Sequence, residues 1–280
     1  MRTRFITLIF LLGFAPLSLF AGNGKRITKI VLDAGHGGKD IGARGKFSME
    51  KDVALDIVLR IGRLIKENMP DVEVVYTRTT DEYPSLVDRH EIANKANADL
   101  FISVHINSTA DRIERKVVGH KYVKRGRKKV RVPVYSVIRH HEGSRQGTET
   151  YVLGLHRNGQ KEEAIGEYGE TVSDEPGLLN EDDPQTGIIV AQYAQAFLSK
   201  SVALGTKIQQ QFYNQGRPDY GVKQKGLEVL AGSAMPGVLV ECGFINNPEE
   251  EEYMNSEKGQ KEIANAIYKG IKAFKSDMEK

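Results

Sequence analysis

The chain has 280 residues, 40% of them hydrophobic and 28% charged, and a formal net charge of +3; these are ordinary globular proportions, with room for one large α/β domain or one domain with insertions. A single cysteine, Cys242, excludes an internal disulfide framework. The charge is uneven: residues 111–145 hold twelve Lys or Arg against three Asp or Glu, so an acidic body carries one strongly basic segment.

Met1-Arg2-Thr3-Arg4 is a short basic start, residues 5–20 are apolar, and Ala21-Gly22 offers small residues for cleavage. That order describes a secretory signal peptide over 1–21, with a mature domain over 22–280 exported to the periplasm or cell envelope. Gly13 and Pro16 interrupt the apolar run, which is short for a span, so an uncleaved anchor fits less well. No transmembrane segment is expected after cleavage.

Ile30-Val31-Leu32 reads as a buried strand. It breaks at Asp33 into Ala-Gly-His-Gly-Gly, where glycines permit sharp turns. His36 thus leaves the end of a strand, and Glu50 waits at the head of an amphipathic helix over 51–69, whose apolar stripe runs through Val53, Ile57, Ile61 and Leu64. Residues 72–76 form a second strand, giving a β-α-β unit and favouring a parallel sheet. Ser85 caps a helix reaching Asn97, in which His90 is a surface or packing residue. The third strand, 100–104, runs into His105-Ile106-Asn107.

The basic insertion, about 111–146, alternates charged and β-branched residues, and Gly126 suits a hairpin turn. His120, His140 and His141 lie among cations that would repel a metal. The expected form is a solvated β-ribbon, with electrostatic contact to an anionic wall or membrane component as its functional reading. Strand pattern returns at 148–155. Residues 158–184 are polar and acidic, with no core face except Leu178-Leu179. A long helix covers 187–214. Residues 238–240 are the last strand, from which Glu241 leaves, and Cys242 reads as a buried thiol rather than a nucleophile. A helix over 259–274 closes the chain. The expected fold is α/β: a mainly parallel twisted sheet with helices on both faces and an inserted basic β-ribbon.

In such sheets ligands gather at the carboxyl ends of the strands. His36, Glu50, His105 and Glu241 all fall there. Three of the four suit a tetrahedral zinc (Zn2+) with water in the fourth position, and the remaining carboxylate can move protons between that water and a leaving amine. The implied chemistry is hydrolysis of an amide or ester.

Leu32-Asp33-Ala34-Gly35-His36-Gly37-Gly38, then Glu50, then Ser103-Val104-His105-Ile106-Asn107, then Val240-Glu241-Cys242-Gly243-Phe244-Ile245-Asn246-Asn247 resemble the zinc-dependent N-acetylmuramoyl-L-alanine amidases. The resemblance runs from about residue 28 to 274 and includes Arg78, Arg89 and Asn94. It implies that His36, Glu50 and His105 hold zinc and that Glu241 is the catalytic carboxylate. Asn107, in the third motif, is a candidate substrate-binding residue. The implied substrate is peptidoglycan, cut between N-acetylmuramic acid and L-alanine for wall remodelling or daughter-cell separation. Some similar enzymes carry an inserted helix that blocks the zinc until an activator protein binds, and residues 158–185 match it in position. Glu162, Glu163, Glu167, Glu170, Glu175 and Glu181 are its candidate plugs.

Two other classes share parts of this pattern. An exported zinc carboxypeptidase would need a pocket for a terminal carboxylate. A non-catalytic wall-binding protein would need no base, which argues against it given Glu241. Nucleic-acid binding would rest on the basic insertion alone, which has little aromatic interleaving, and is not expected.

Overall fold

The computed structural model describes residues 26–109, 112–140, 143–168 and 185–280. The signal peptide expected over 1–21 and the sites Glu170, Glu175 and Glu181 lie outside them, as do Leu178-Leu179 and His141. The strands are β1 (Lys29–Ala34), β2 (Glu73–Tyr76), β3 (Leu100–Asn107), β4 (Arg112–Arg125), β5 (Lys128–His140), β6 (Thr148–Leu153), β7 (Asp219–Lys225) and β8 (Gly237–Phe244). The helices are α1 (Glu50–Asn68), α2 (Leu86–Lys95), α3 (Asn158–Glu167), α4 (Thr186–Asn214), α5 (Glu228–Ala231), α6 (Pro248–Asn255) and α7 (Glu257–Met278).

Six strands form one sheet in the order β2-β1-β3-β8-β6-β7. The first four are mutually parallel, β6 runs antiparallel to β8, and β7 is parallel to β6. Side chains alternate between faces along each strand. Ile30, Leu32, Ile102, Val104, Val238 and Val240 therefore pack against α1, α4 and α7 in the main core. Val31, Phe101 and Leu239 point the other way, onto Ala93 of α2 and Val229 and Leu230 of α5. Helices cover both faces, as expected of the alternating sequence pattern.

Several boundaries differ from the sequence reading. His105 and Glu241 lie inside β3 and β8 rather than beyond their ends, because both strands stay paired as far as Asn107 and Phe244. β7 and α5 were not expected. Residues 158–167 are not a featureless acidic connection: α3 buries Lys161, Ala164 and Ile165, and the last two pack with Val190, Ala194 and Phe197 of α4. Lys161 donates to Leu230 O, Ser233 Oγ and Met235 O at 2.7–3.1 Å. Burial lowers its pKa to about 7. Glu163 and Glu167 line a cavity with His90 and Glu228.

The basic insertion is the hairpin β4–β5, turning at Gly126 (φ 63°) and pairing with no other strand among the described residues. Cys242 is fully buried, and burial pushes its thiol pKa well up. No helix among the described residues is long and apolar enough to cross a membrane.

Candidate functional site

The site is built where β1, β3 and β8 reach their carboxyl ends. After β1 the chain turns so sharply that His36 takes a left-handed backbone (φ 59°), a conformation that costs energy in a non-glycine residue unless its surroundings enforce it. Two buried arginines enforce it. Arg89 donates to Ala34 O (2.7 Å) and His36 O (2.5 Å), and Arg78 donates to Ala34 O (2.9 Å) and Gly35 O (2.8 Å). Arg89 also pairs with Asp33 (2.6 Å), which accepts from Thr77 and Ser103 as well. Burial alone would raise the Asp33 pKa, but Arg89 and these hydroxyls outweigh it and hold the carboxyl below its usual range.

Glu50 is the first residue of α1, where an acidic side chain also complements the helix dipole. Its Oε1 lies 3.2 Å from His36 Nε2 and 2.9 Å from His105 Nδ1, and accepts from the Ile106 amide at 3.0 Å. Its Oε2 accepts from the Ala43 amide at 2.7 Å. The loop before α1 is itself fixed by Glu251 of α6, which accepts from the amides of Lys46, Phe47 and Ser48, each at 2.8 Å.

His36, Glu50 and His105 thus present three donor atoms within 4.8 Å of one another. His36 Nδ1 donates to Asp40 (2.8 Å), which leaves Nε2 as the atom facing the cluster. Burial disfavours charge on both His36 and Glu50, but His105 and then His36 outweigh it at Glu50, and Glu50 and then Asp40 outweigh it at His36. His36 is raised to about 9, and Glu50 falls well below the usual carboxylate range. A positive ion in their midst would be met by one carboxylate and two nitrogen donors. Two glycines make the cluster compact. A Cβ on Gly35 would lie 2.4–2.8 Å from the His105 ring, and one on Gly42 would lie 2.5 Å from Glu50 Oε2 and 2.6 Å from His36.

Glu241 is the register partner of His105 on the neighbouring strand. Its Oε2 is buried and has no hydrogen-bond partner among the described residues. Burial raises its pKa to about 7, with His105 opposing and Glu50 reinforcing the shift. A buried carboxyl beside a three-donor cluster is the kind of group that can move protons there.

Sequence reasoning missed Glu149. It is the register partner of Glu241 on β6, is buried, and accepts from Asn107 Nδ2 (2.5 Å), Tyr151 OH (2.7 Å) and Lys223. Asn107 is therefore oriented by Glu149 at the rim of the site. Only the topology brings β6 beside β8, and no motif signals it. The described candidate plugs, Glu162, Glu163 and Glu167, belong to α3 and are not among the three clustered donors.

The family model Amidase_3, N-acetylmuramoyl-L-alanine amidase, matches residues 30–273. The chain belongs to this family. It is 32% identical over 258 residues to the N-acetylmuramoyl-L-alanine amidase AmiC of Escherichia coli O6:H1, covering 92% of this chain and 55% of that protein. It is 30% identical over 287 residues to the probable N-acetylmuramoyl-L-alanine amidase AmiB of Haemophilus influenzae, covering 99% of this chain and 57% of that protein. It thus spans a little over half the length of these two relatives. Among solved structures, the N-acetylmuramoyl-L-alanine amidase from Clostridium difficile 630 superposes with a TM-score of 0.58 at 25% identity, covering 89% of this chain and 97% of that one. The family match spans all four motifs and Glu149.

Proposed function

We propose that this chain is a zinc-dependent hydrolase that cuts the amide between N-acetylmuramic acid and L-alanine in peptidoglycan. The observation that carries the reading is the meeting of the His36, Glu50 and His105 donors beside Glu241, whose buried Oε2 has no partner among the described residues, in a chain of the amidase family. The residues fit zinc. Two imidazoles and a carboxylate are among its commonest ligands, and bonds of about 2.0–2.1 Å in a tetrahedron put donor atoms roughly 3.3 Å apart; the two spacings to Glu50 Oε1 are 3.2 and 2.9 Å, and all three donors lie within 4.8 Å.

When bound, zinc supplies a Lewis acid that polarises the amide carbonyl and acidifies water. The rest is done by the chain. Asp40 orients His36, the Ile106 amide orients Glu50, and the β3–β8 ladder fixes Glu241 beside His105. Glu241 accepts a proton from the attacking water at its buried carboxylate oxygen and delivers it to the nitrogen of the departing L-alanine, which leaves as an amine. Asn107, whose Nδ2 donates to Glu149, binds the substrate at the rim through its remaining amide proton.

Wall remodelling or daughter-cell separation in the periplasm or cell envelope is the physiological part of this reading, supported by the basic-then-apolar pattern of residues 1–21. Control by an activator protein acting on the acidic segment 158–185 is the regulatory part of this reading, supported by the position of that segment in the sequence. The test is digestion of purified peptidoglycan followed by mass spectrometry. Free stem peptides beginning with L-alanine, beside intact glycan strands, are expected. Release of only a terminal D-alanine would replace this reading with a carboxypeptidase.

A further inference from the structure

The chemistry above leaves the ribbon β4–β5 without a role. Its strands run 14 and 13 residues, about 40 Å of extended chain. Residues 112–140 carry eleven Lys or Arg against one carboxylate, Glu114. The pairing register assigns side chains to faces. Lys124 opposite Lys129, Tyr122 opposite Arg131, and Val117 opposite Tyr135 share one face. Lys121 opposite Val132, and Arg125 opposite Lys128, share the other. Tyr122 and Tyr135 are 71% and 50% exposed. Cations on both faces leave no single apolar face to enter a bilayer, which is the feature interfacial membrane elements need. A row of cations with open aromatic rings instead suits a threadlike anion: guanidinium and ammonium groups for its carboxylates, tyrosine rings for its sugars.

The ribbon is rooted at the mouth of the site. Before its first strand, Thr109 exchanges two hydrogen bonds with Asn246 (3.0 and 3.2 Å). After its second strand, Arg145 O accepts from Asn247 Nδ2 (3.0 Å). Asn246 and Asn247 follow β8, the strand that carries Glu241. The foot of the ribbon therefore adjoins the loop that follows the strand carrying Glu241.

We propose that the ribbon is a docking arm for carboxylate-bearing peptide–glycan strands, the same polymer that the site cuts. The proposal rests on the function proposed above for its choice of polymer. Exposed ion pairs are individually weak, so retention comes from many of them along one strand and falls as salt rises.

The test is sedimentation with sacculi freed of phosphate-bearing polymers, in a Glu241→Gln background that keeps the wall intact. The combined substitution Lys121→Gln, Lys124→Gln, Lys129→Gln and Arg131→Gln is expected to weaken binding about tenfold. Converting sacculus carboxylates to amides should weaken the parent similarly and leave the quadruple variant unaffected. Replacing the three lysines by arginine should preserve binding, which separates charge from folding. Equal binding by the quadruple variant, or indifference to amidation, would overturn the proposal. So would tighter ribbon-dependent binding to phosphatidylglycerol vesicles than to sacculi. Cleavage of a soluble muramoyl-peptide by the unsubstituted chain is measured alongside. Its absence, with charge-dependent sacculus binding intact, would refute the hydrolase and leave the docking arm standing.

Discussion

His105 and Glu241 face each other across a single rung of the β3–β8 ladder. One backbone pairing therefore sets the distance between a donor of the three-atom cluster and the carboxyl proposed to move the proton. The two can nevertheless be separated by substitution. His105→Ala should lose both bound zinc and turnover, because two donors remain where three are needed. Glu241→Gln should keep zinc and lose roughly 10²–10⁴ in rate, the usual value of a positioned proton-transfer group. Metal content by atomic absorption and stem-peptide release read the two effects; equal zinc in His105→Ala would refute the ligand assignment.

Gly42 has a positive φ of 65°, and a Cβ there would strike both Glu50 and His36. Gly42→Ala should therefore damage the cluster without altering any ligand. Zinc affinity is expected to fall by at least the roughly 10–100-fold seen when outer-shell support is removed. A competition titration with a chromophoric chelator measures it, and wild-type affinity would show that the loop gives way freely.

Arg89 holds the carbonyls around His36 and neutralises Asp33, which is 1% exposed. Arg89→Met keeps the bulk and removes both services. Leaving a buried carboxylate unpaired costs roughly 3–5 kcal/mol. Urea unfolding should show that loss, and His36 should show weaker metal binding under conditions where the variant is still folded. A variant as stable as the parent would mean that Asp33 finds another partner.

Lys161 yields a pH dependence of definite sign. Its pKa falls from 10.5 to about 7 on folding, so between those values the unfolded chain holds a proton that the folded one lacks. Stability from this group therefore rises with pH across that window, at up to about 1.4 kcal/mol per unit, and is lost as pH falls toward 7. Lys161→Met should lack this slope in urea titrations at pH 7, 8 and 9. An unchanged slope would mean that the folded protein keeps the ammonium charged among its three acceptors.

Much of this was readable in the sequence because it rests on local pattern. The 3.6-residue stripe of α1, the apolar cores of β1, β3 and β8, and the glycines around His36 are each specified within a few positions. The misses have physical causes. α3 covers part of its buried face with Lys161, which hydrophobic periodicity counts as polar. β7 is half-exposed at the sheet edge, and Tyr220 and Val222 alternate there with Asp219, Gly221 and Lys223, too weak a pattern to mark a strand. Glu149 gains its meaning only because β6 lies antiparallel beside β8, a pairing set by tertiary structure. Deleting the acidic segment would also take Ala164 and Ile165 out of their packing against α4, so such a truncation tests stability as well as control.

The rung nearest the body pairs Arg112 with His140, so both feet of the ribbon meet at one cross-strand position. The six-stranded body therefore meets the hairpin through a closure whose span does not depend on how many rungs lie beyond it. The number of rungs beyond that pair sets how far the ribbon reaches from the body without changing the register of the six-stranded sheet.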